Sequence, residues 1–203
     1  MSSYGRTENT VTRPQTLRPA TGQVRIGVAA IGVGPLGTQV AGTVDAVGPD
    51  SAGFARGDRV TFRATSKLAR RIVVPEHDLM GVPSGVTLDA AVGVMPCALI
   101  ARSVVKLAHR VARGDRVRID RSTGEFAPFI AAWVEHVGGE VVQSDADAVI
   151  TGQDVESARS MRTGAGLAQQ AAADVYAAIR AGVFDGVAPA GTLLHPADVT
   201  LAA

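Results

Sequence analysis

The segment that most constrains the fold runs from Arg113 to Val142 and has the outline of a strand–helix–strand unit. A Gly114-Asp115 turn leads into a short apolar strand that ends near Ile119. Residues 129–136 predict a helix, and Glu140-Val141-Val142 predicts a second strand. Because strands that alternate with helices build parallel sheets, this segment predicts an α/β fold.

The loop inside this unit lacks the glycines of a dinucleotide-binding site. Those glycines let backbone amides close on a pyrophosphate at the helix N-terminus. Only Gly124 is present here, and Glu125, Phe126 and Pro128 lie beside it. A carboxylate and two bulky groups therefore occupy the place of a phosphate, so we predict the nucleotide-binding topology without a bound cofactor.

Composition excludes several classes of protein. A chain of 203 residues with 46% hydrophobic residues is long enough for one domain or two small ones with a real core. The net charge of +1 gives no electrostatic case for a nucleic-acid or membrane-surface partner. The single cysteine, Cys97, excludes an intrachain disulfide and a multi-cysteine zinc site, and fits a reducing, cytoplasmic location. The polar N-terminal residues and short apolar runs predict neither a secretory leader nor a membrane span.

The first part of the chain predicts a small, turn-rich β barrel. After a loose arm over residues 1–19, short alternating strands separated by turns continue to about residue 86. Within this part, the Ile31–Gly37 stretch is rich in turn-forming residues. The pattern predicts an all-β unit at the N-terminal end.

Helical patterns follow from residue 87 onward. Thr87 is the predicted N-cap of a helix that begins at Leu88, and residues 98–111 predict a helix with basic residues on one face. Residues 147–152 predict another strand, and residues 152–166 a loop or short helix. The rest of the chain predicts a helix at Leu167–Ala181, short strands at Val183-Phe184 and Thr192–Leu194, and a last helical turn at Pro196–Val199.

Three stretches together resemble the medium-chain dehydrogenase/reductase superfamily, in its zinc-free quinone-oxidoreductase and polyketide-enoylreductase branch. They are Gly42–Val60, the segment from Val82 through Met95 to Ala101, and Arg113–Val117 with the strand–helix–strand unit. The resemblance implies a GroES-like β barrel over residues 1–93 with a C-terminal return at 180–203. It also implies a truncated Rossmann-like domain over residues 94–179.

Two departures from the family change the functional expectation. Pro35 closes a gap where the family has a longer loop that carries catalytic groups. In addition, the residues after Arg113 are too few for a six-stranded nucleotide-binding sheet, which takes roughly 150 residues. Both departures remove parts that serve hydride transfer.

Candidate site residues follow from the position of the altered loop. Ligands of open α/β sheets bind at the carboxyl ends of the strands, so the candidate catalytic residues are Asp120, Arg121, Ser122 and Glu125. The candidate substrate contacts are Met95, Cys97, Phe126, Phe129 and Trp133. The helical spacing of the three aromatic residues is equally typical of core packing, and Cys97 has no histidine nearby in sequence to form a thiolate. His77, His109, His136 and His195 include no pair at metal-ligand spacing, so no metal is predicted.

The predicted function is a cofactor-independent cyclase of polyketide-type natural-product biosynthesis. A reductase scaffold without its nicotinamide leaves an apolar cleft with few titratable groups, which suits ring closure of a flexible reactive chain, possibly by [4+2] cycloaddition. Two alternatives remain open: an NADPH-dependent enoyl or quinone reductase, and a non-catalytic protein that binds a polyketide or a partner protein. A small polyketide-like molecule is the predicted substrate, and a homodimer through an exposed sheet edge is possible.

Overall fold

A computed structural model describes residues 18–65, 68–161 and 165–197, which form a mixed α/β structure. The predicted arm before residue 18 and the predicted helical turn beyond Ala197 lie outside the described residues. The strands are β1 (Gln23–Gly34), β2 (Gly37–Val47), β3 (Arg59–Arg63), β4 (Arg71–Pro75), β5 (Met80–Gly81), β6 (Arg116–Ile119), β7 (Glu140–Val141), β8 (Ala148–Ile150) and β9 (Thr192–Leu194). The α-helices are α1 (Leu88–Gly93), α2 (Met95–Arg102), α3 (Ala127–His136), α4 (Gly152–Ser160) and α5 (Ala165–Arg180).

The N-terminal sheet is antiparallel and has the strand order β4-β1-β2-β3-β5, with β9 paired to β1. Its small core is formed by inward-facing side chains, chiefly Val24, Ile26, Val40, Val44, Val60, Phe62 and Val74. The sheet confirms the predicted all-β unit, and the C-terminal strand β9 returns to it as the sequence predicted. Closure of this sheet into a barrel stays a prediction.

A two-residue turn joins β1 to β2. The antiparallel register continues to the pair Gly34 and Gly37, so Pro35 and Leu36 alone form the connection. The stretch from Ile31 was expected to be a turn, but β1 extends through it because its backbone pairs with both β2 and β9. The connection between these two strands is therefore a tight hairpin.

The second sheet is parallel, with the order β7-β6-β8. It confirms the predicted strand–helix–strand unit, with α3 as the connecting helix and β8 as the further strand. Its helices pack into the main core of the protein, in which Phe129, Ile130, Trp133, Val134 and Ile150 are buried. This helical layer meets the antiparallel sheet at α1, where a Cβ on Gly32 would lie only 2.7 Å from the Val92 carbonyl oxygen.

The helix predicted over residues 98–111 is shorter and less regular than expected. α2 ends at Arg102 and continues as a π-helical turn over Ser103–Ala108, and Arg110 has a left-handed backbone with φ of 51°. Arg102 and Lys106 still share one face, where both contact Asp174 of α5 at 2.6 and 3.4 Å. Arg110 is not on that face, because the helix has ended.

Two other local predictions are resolved by the structure. Thr87 is confirmed as an N-cap, since its side chain accepts a hydrogen bond from the Ala90 amide at 3.0 Å. The strand predicted at Val183-Phe184 is wrong, because these residues lie in turns after α5 where Phe184 packs into the aromatic core. No α-helix among the described residues is long and apolar enough to span a bilayer.

The geometry of the β1–β2 hairpin predicts that two of its glycines differ in how well they tolerate replacement by alanine. A Cβ at Gly42 would overlap the Gly27 carbonyl oxygen, whereas a Cβ at Gly27 would meet its nearest neighbour, the Thr43 carbonyl oxygen, at 3.8 Å. We expect Gly42→Ala to lower the free energy of unfolding by about 3 kcal/mol, and the matched Gly27→Ala to change it by less than about 1 kcal/mol. Urea unfolding of both variants measures this. Equal effects would contradict the close strand approach.

The Asp174 cluster predicts a pH-dependent contribution to stability. Hydrogen bonding from Arg102 lowers the pKa of the Asp174 carboxyl, so its contribution is present above the unfolded-state pKa of about 3.9 and is lost as pH falls through the lower folded pKa. Because the site is partly exposed, we expect Asp174→Asn to lower stability at neutral pH by about 1 kcal/mol. The difference in the free energy of unfolding between the natural chain and Asp174→Asn should become smaller below about pH 4. Asp145→Asn, at an exposed turn, is the control and should leave the free energy of unfolding at neutral pH unchanged.

Candidate functional site

The predicted catalytic residues lie at the carboxyl edge of the parallel sheet. Asp120 directly follows β6, and a 3-10 helical segment, Arg121–Phe126, carries the next residues into α3. The Asp120 amide donates to the Ile150 carbonyl at 2.8 Å, which ties the ends of β6 and β8 together. The sequence therefore placed these residues at the correct edge of the sheet.

A hydrogen-bonded network fills the crevice between the ends of β6 and β8. The Ser122 amide and hydroxyl donate to Asp120 Oδ1 at 2.9 and 2.5 Å. The Gly152 amide, at the start of α4, donates to Ser122 Oγ at 2.9 Å. A Cβ at Gly152 would lie 2.6 Å from the Ser122 carbonyl oxygen, so the two loops are in direct contact.

These contacts decide whether a dinucleotide cofactor fits the loop. A pyrophosphate is held by free amide donors at a helix N-terminus, but the Ser122 and Gly152 amides already have acceptors within the protein. Hydrogen bonds from the Ser122 side chain and amide lower the pKa of Asp120, which therefore presents a negative charge to any phosphate. Pro128 in the first turn of α3 has no amide hydrogen to offer. The residues present do not fit the pyrophosphate of NAD(P)H.

The predicted aromatic contacts lie inside the main core. Phe129 and Trp133 are fully buried, Phe126 is nearly so, and Phe184 packs against both Phe129 and Trp133 with ring centroids about 6 Å apart. The Trp133 indole donates to the Ala98 carbonyl at 2.9 Å, which joins α3 to α2. A substrate would reach these rings only if the core opened, so their role as substrate contacts stays a prediction.

Cys97 also points into the core. It is 2% exposed, and burial, followed by the negative charge of Glu125, raises the pKa of its thiol to about 12. The thiol therefore stays protonated at neutral pH and is not an activated nucleophile. Glu125 itself is exposed beside the end of the 3-10 segment.

A cleft of about 630 Å³ lies between the antiparallel sheet and the helical layer. We call it the central cleft; it is enclosed by the β1–β2 turn, β3, and the N-terminal half of α2 opposite the end of α4. Its size is within the usual range of ligand sites, roughly 300–1,000 Å³. Its apolar wall is formed by Leu36, Phe62, Met80, Met95, Leu99 and Ile100. Met95 is thus the one predicted substrate contact that lines this cleft among the described residues.

Charged groups stand around the mouth of the central cleft. Arg159 of α4 is paired with Glu156 at 2.7 Å and donates to the Pro35 carbonyl at 3.3 Å, so it bridges the helical layer to the hairpin turn. Arg63 of β3 is exposed and makes no hydrogen bond or ion pair to any residue that the structure describes. Its guanidinium is therefore available to a ligand oxygen.

No family model and no curated protein matches this chain. Among solved structures, a 2-haloacrylate reductase is similar at 27% identity with a TM-score of 0.54, covering 72% of this chain and 49% of that one. A mycobacterial quinone oxidoreductase is also 27% identical, with a TM-score of 0.53, covering 70% of this chain and 53% of that one. The chain thus has the fold of the medium-chain dehydrogenase/reductase superfamily.

This chain spans only about half the length of those superfamily members. The CurK enoyl reductase shares the fold at 19% identity and a TM-score of 0.53, covering 72% of this chain and 51% of that one. The parallel sheet has three strands in the part of the chain that the structure describes. The resemblance to the superfamily that the sequence indicated is therefore confirmed.

Several residues of the central cleft were missed from the sequence. Glu156 and Arg159 were not singled out, because residues 152–166 were expected to form a loop or short helix; the Thr151–Asp154 capping box was the signal that a helix begins there. Arg63 gave no signal, because an arginine at the end of a strand is common. No group of three His, Cys, Asp or Glu side chains in the described ranges could hold a metal ion.

The Ser122 network predicts a measurable change in Asp120. We expect Ser122→Ala to raise the pKa of Asp120 toward its usual value, because two of the hydrogen bonds to the carboxylate involve Ser122 and one of them is lost. The Gly152 amide should also exchange its hydrogen faster, because it loses its acceptor. Carboxyl-carbon NMR titration and amide exchange measure the two effects. Ser157→Ala, on the exposed side of α4, is the control, and an unchanged Asp120 would contradict the network.

Proposed function

We propose that the protein is a cofactor-independent cyclase that closes a ring in a flexible, reactive chain of polyketide type. The observation that carries this proposal is that the Gly152 amide donates to Ser122 Oγ and the Ser122 amide donates to Asp120, so neither amide is free to bind the pyrophosphate of a dinucleotide cofactor. The superfamily's hydride chemistry depends on that cofactor. The central cleft between the two layers is the ligand site in this proposal.

The lining of the central cleft suits conformational control of an apolar chain. Its wall is mostly aliphatic and aromatic, and its charged groups stand at the mouth rather than in the interior. A free chain in water loses entropy when its two reacting ends come together. A cleft that already holds the ends together removes this cost from the reaction, which can lower the activation barrier by several kcal/mol. Such a reaction depends more on the shape of the cleft than on acidic or basic side chains within it.

The sharpest form of the proposal is a [4+2] cycloaddition. Four π electrons of a diene and two of an alkene or carbonyl rearrange into two σ bonds and one new π bond. The product is an isomer of the substrate, so no proton, hydride or leaving group has to be accepted by the protein. This balance agrees with a cleft in which Arg159 is engaged by Glu156 and Pro35.

Arg63 has a specific place in this proposal. A guanidinium that donates to a carbonyl conjugated with the alkene withdraws electron density from it and accelerates addition to the diene. Arg63 makes no hydrogen bond or ion pair to any residue that the structure describes. Its guanidinium stands at the mouth beside Gly37, where a Cβ built on Gly37 would lie 3.4 Å from the guanidinium nitrogens. It can therefore bind a carbonyl without first breaking an internal bond.

The predicted carboxyl-edge residues contribute to the proposal in a different way. Asp120 and Ser122 close the old nucleotide crevice, and Arg121 and Glu125 form the exposed rim of the same segment. Since none of these four is among the described residues that line the central cleft, direct chemistry by them would need a second binding mode. Their catalytic role remains a proposal that mutation can separate from that of Arg63.

An isomerisation assay with linear polyene ketones and thioesters tests the function. We expect a product of unchanged mass, formed without NADPH, and a kcat/KM that falls about 10- to 100-fold in Arg63→Ala, the range for loss of one charged hydrogen-bond donor. Arg56→Ala, at an exposed loop away from the cleft, is the matched control and should keep full activity.

Two other outcomes would contradict the cyclase. Consumption of NADPH with a product heavier by two hydrogens would identify an enoyl or quinone reductase. Saturable binding of the linear compounds without any conversion, at high protein concentration, would identify a binding protein. A melting-temperature titration with NADPH separates the first case directly, because a cofactor that binds the folded state raises the melting temperature.

A further inference from the structure

The polar side chains of the central cleft differ in whether they are free to bind a ligand. The Thr61 hydroxyl donates to the Val40 carbonyl at 3.0 Å, and the Ser160 hydroxyl donates to the Glu156 carbonyl at 2.9 Å. Because each hydroxyl has a single hydrogen, neither group has a donor left for a ligand.

The charged side chains of the central cleft balance one another. Arg159 is paired with Glu156, and Asp78 Oδ1 lies 3.6 Å from His77 Nε2 at an exposed position. With Arg63, the lining contains two arginines and two carboxylates. The cleft therefore has no net charge that would favour an anion or a cation.

Gln39 and Arg63 are the polar side chains of the cleft that make no hydrogen bond or ion pair to any residue in the described ranges. They are direct partners in the β2–β3 ladder. Opposite residues of an antiparallel pair place their side chains on the same face of the sheet, with Cβ atoms about 5 Å apart. The sheet therefore presents an amide and a guanidinium side by side to the cleft.

Gly37 holds the guanidinium on this face. It precedes Gln39 by two positions in β2, so both residues point to the same side of the sheet. Arg63 Nε and Nη2 each lie 3.4 Å from the place that a Cβ on Gly37 would take. The guanidinium therefore lies against β2 on the same face as the free amide.

The two free groups suit different oxygen atoms of one ligand. A guanidinium only donates hydrogen bonds, whereas a side-chain amide donates through its nitrogen and accepts through its oxygen. The enol form of a 1,3-dicarbonyl group has a matching asymmetry, with one carbonyl oxygen that accepts and one hydroxyl that donates. A carboxylate has two acceptor oxygens and no hydrogen for the amide oxygen, and its charge is not favoured by this lining.

We propose that Gln39 and Arg63 bind the 1,3-dicarbonyl group of an otherwise apolar chain. Arg63 donates to the carbonyl oxygen, and the enol hydroxyl donates to the Gln39 side-chain oxygen. We call this pair the dicarbonyl site. It rests on the proposed cyclase and names its substrate class, a chain whose reacting alkene is conjugated with a 1,3-dicarbonyl group. The two contacts fix the plane of that group, so the alkene meets the diene in one orientation.

Calorimetry with saturated ketones tests the dicarbonyl site without any reaction. We expect decane-2,4-dione to bind about tenfold more tightly than its isomer decane-2,5-dione, whose oxygens are one carbon further apart, and than decanoate. In Gln39→Leu the preference for the first dione should fall to about twofold or less, the loss expected for one hydrogen bond. Gln170→Leu, exposed on α5 and outside the cleft lining, is the matched control and should keep the full preference. Melting temperatures verify that both variants fold.

Three results would overturn the dicarbonyl site: equal binding of the two diones by the natural chain, a preference that survives in Gln39→Leu, or tighter binding of decanoate than of decane-2,4-dione. Failure of the cyclase is a separate result. Linear polyenes would then give no isomeric product, while the natural chain keeps its preference for decane-2,4-dione and Gln39→Leu loses it. That combination would support the dicarbonyl site and remove only the ring closure.

Discussion

The hydrogen bond from the Gly152 amide to the Ser122 hydroxyl is the contact on which the arrangement of both layers depends. It closes the carboxyl edge of the parallel sheet, and it also fixes where α4 begins. Because α4 starts there, Arg159 in its last turns reaches the Pro35 carbonyl of the hairpin. The same contact therefore connects the carboxyl edge of the parallel sheet to the helix that forms one side of the central cleft.

Shortening of the β1–β2 connection has a complementary effect on the other side of the central cleft. A hairpin closed by Pro35 and Leu36 leaves the mouth of the cleft open where a longer loop would cover it. Arg63 and Arg159 stand at this mouth, while the interior is walled by side chains such as Phe62 and Leu99. The central cleft is therefore apolar inside and polar at its entrance. This distribution is expected for a site that recognises the shape of an apolar ligand in its interior and a single ligand oxygen at its entrance.

The sequence predicted the topology better than the site. Period-two strands and the 3.6-residue periodicity of α3 and α5 are local signals, and β9 was predicted from a short apolar run between turn-forming residues. The end of the helix near Arg110 was missed, since the π-helical turn over Ser103–Ala108 leaves no local sequence pattern. The aromatic residues near Trp133 were ambiguous from spacing alone, and only their burial identifies them as core. The central cleft could not be predicted from local sequence patterns, because it brings together residues as distant in sequence as Pro35 and Arg159.

Trp133, the only tryptophan of the chain, provides the molecule with an internal optical probe. Its indole is screened from water, donates to the Ala98 carbonyl, and lies between α2 and Phe184. An indole in such surroundings emits at shorter wavelength than one in water, and it is sensitive to any movement of α3 against α2. The emission wavelength of Trp133 therefore reports whether α3 stays packed against α2 when a ligand binds.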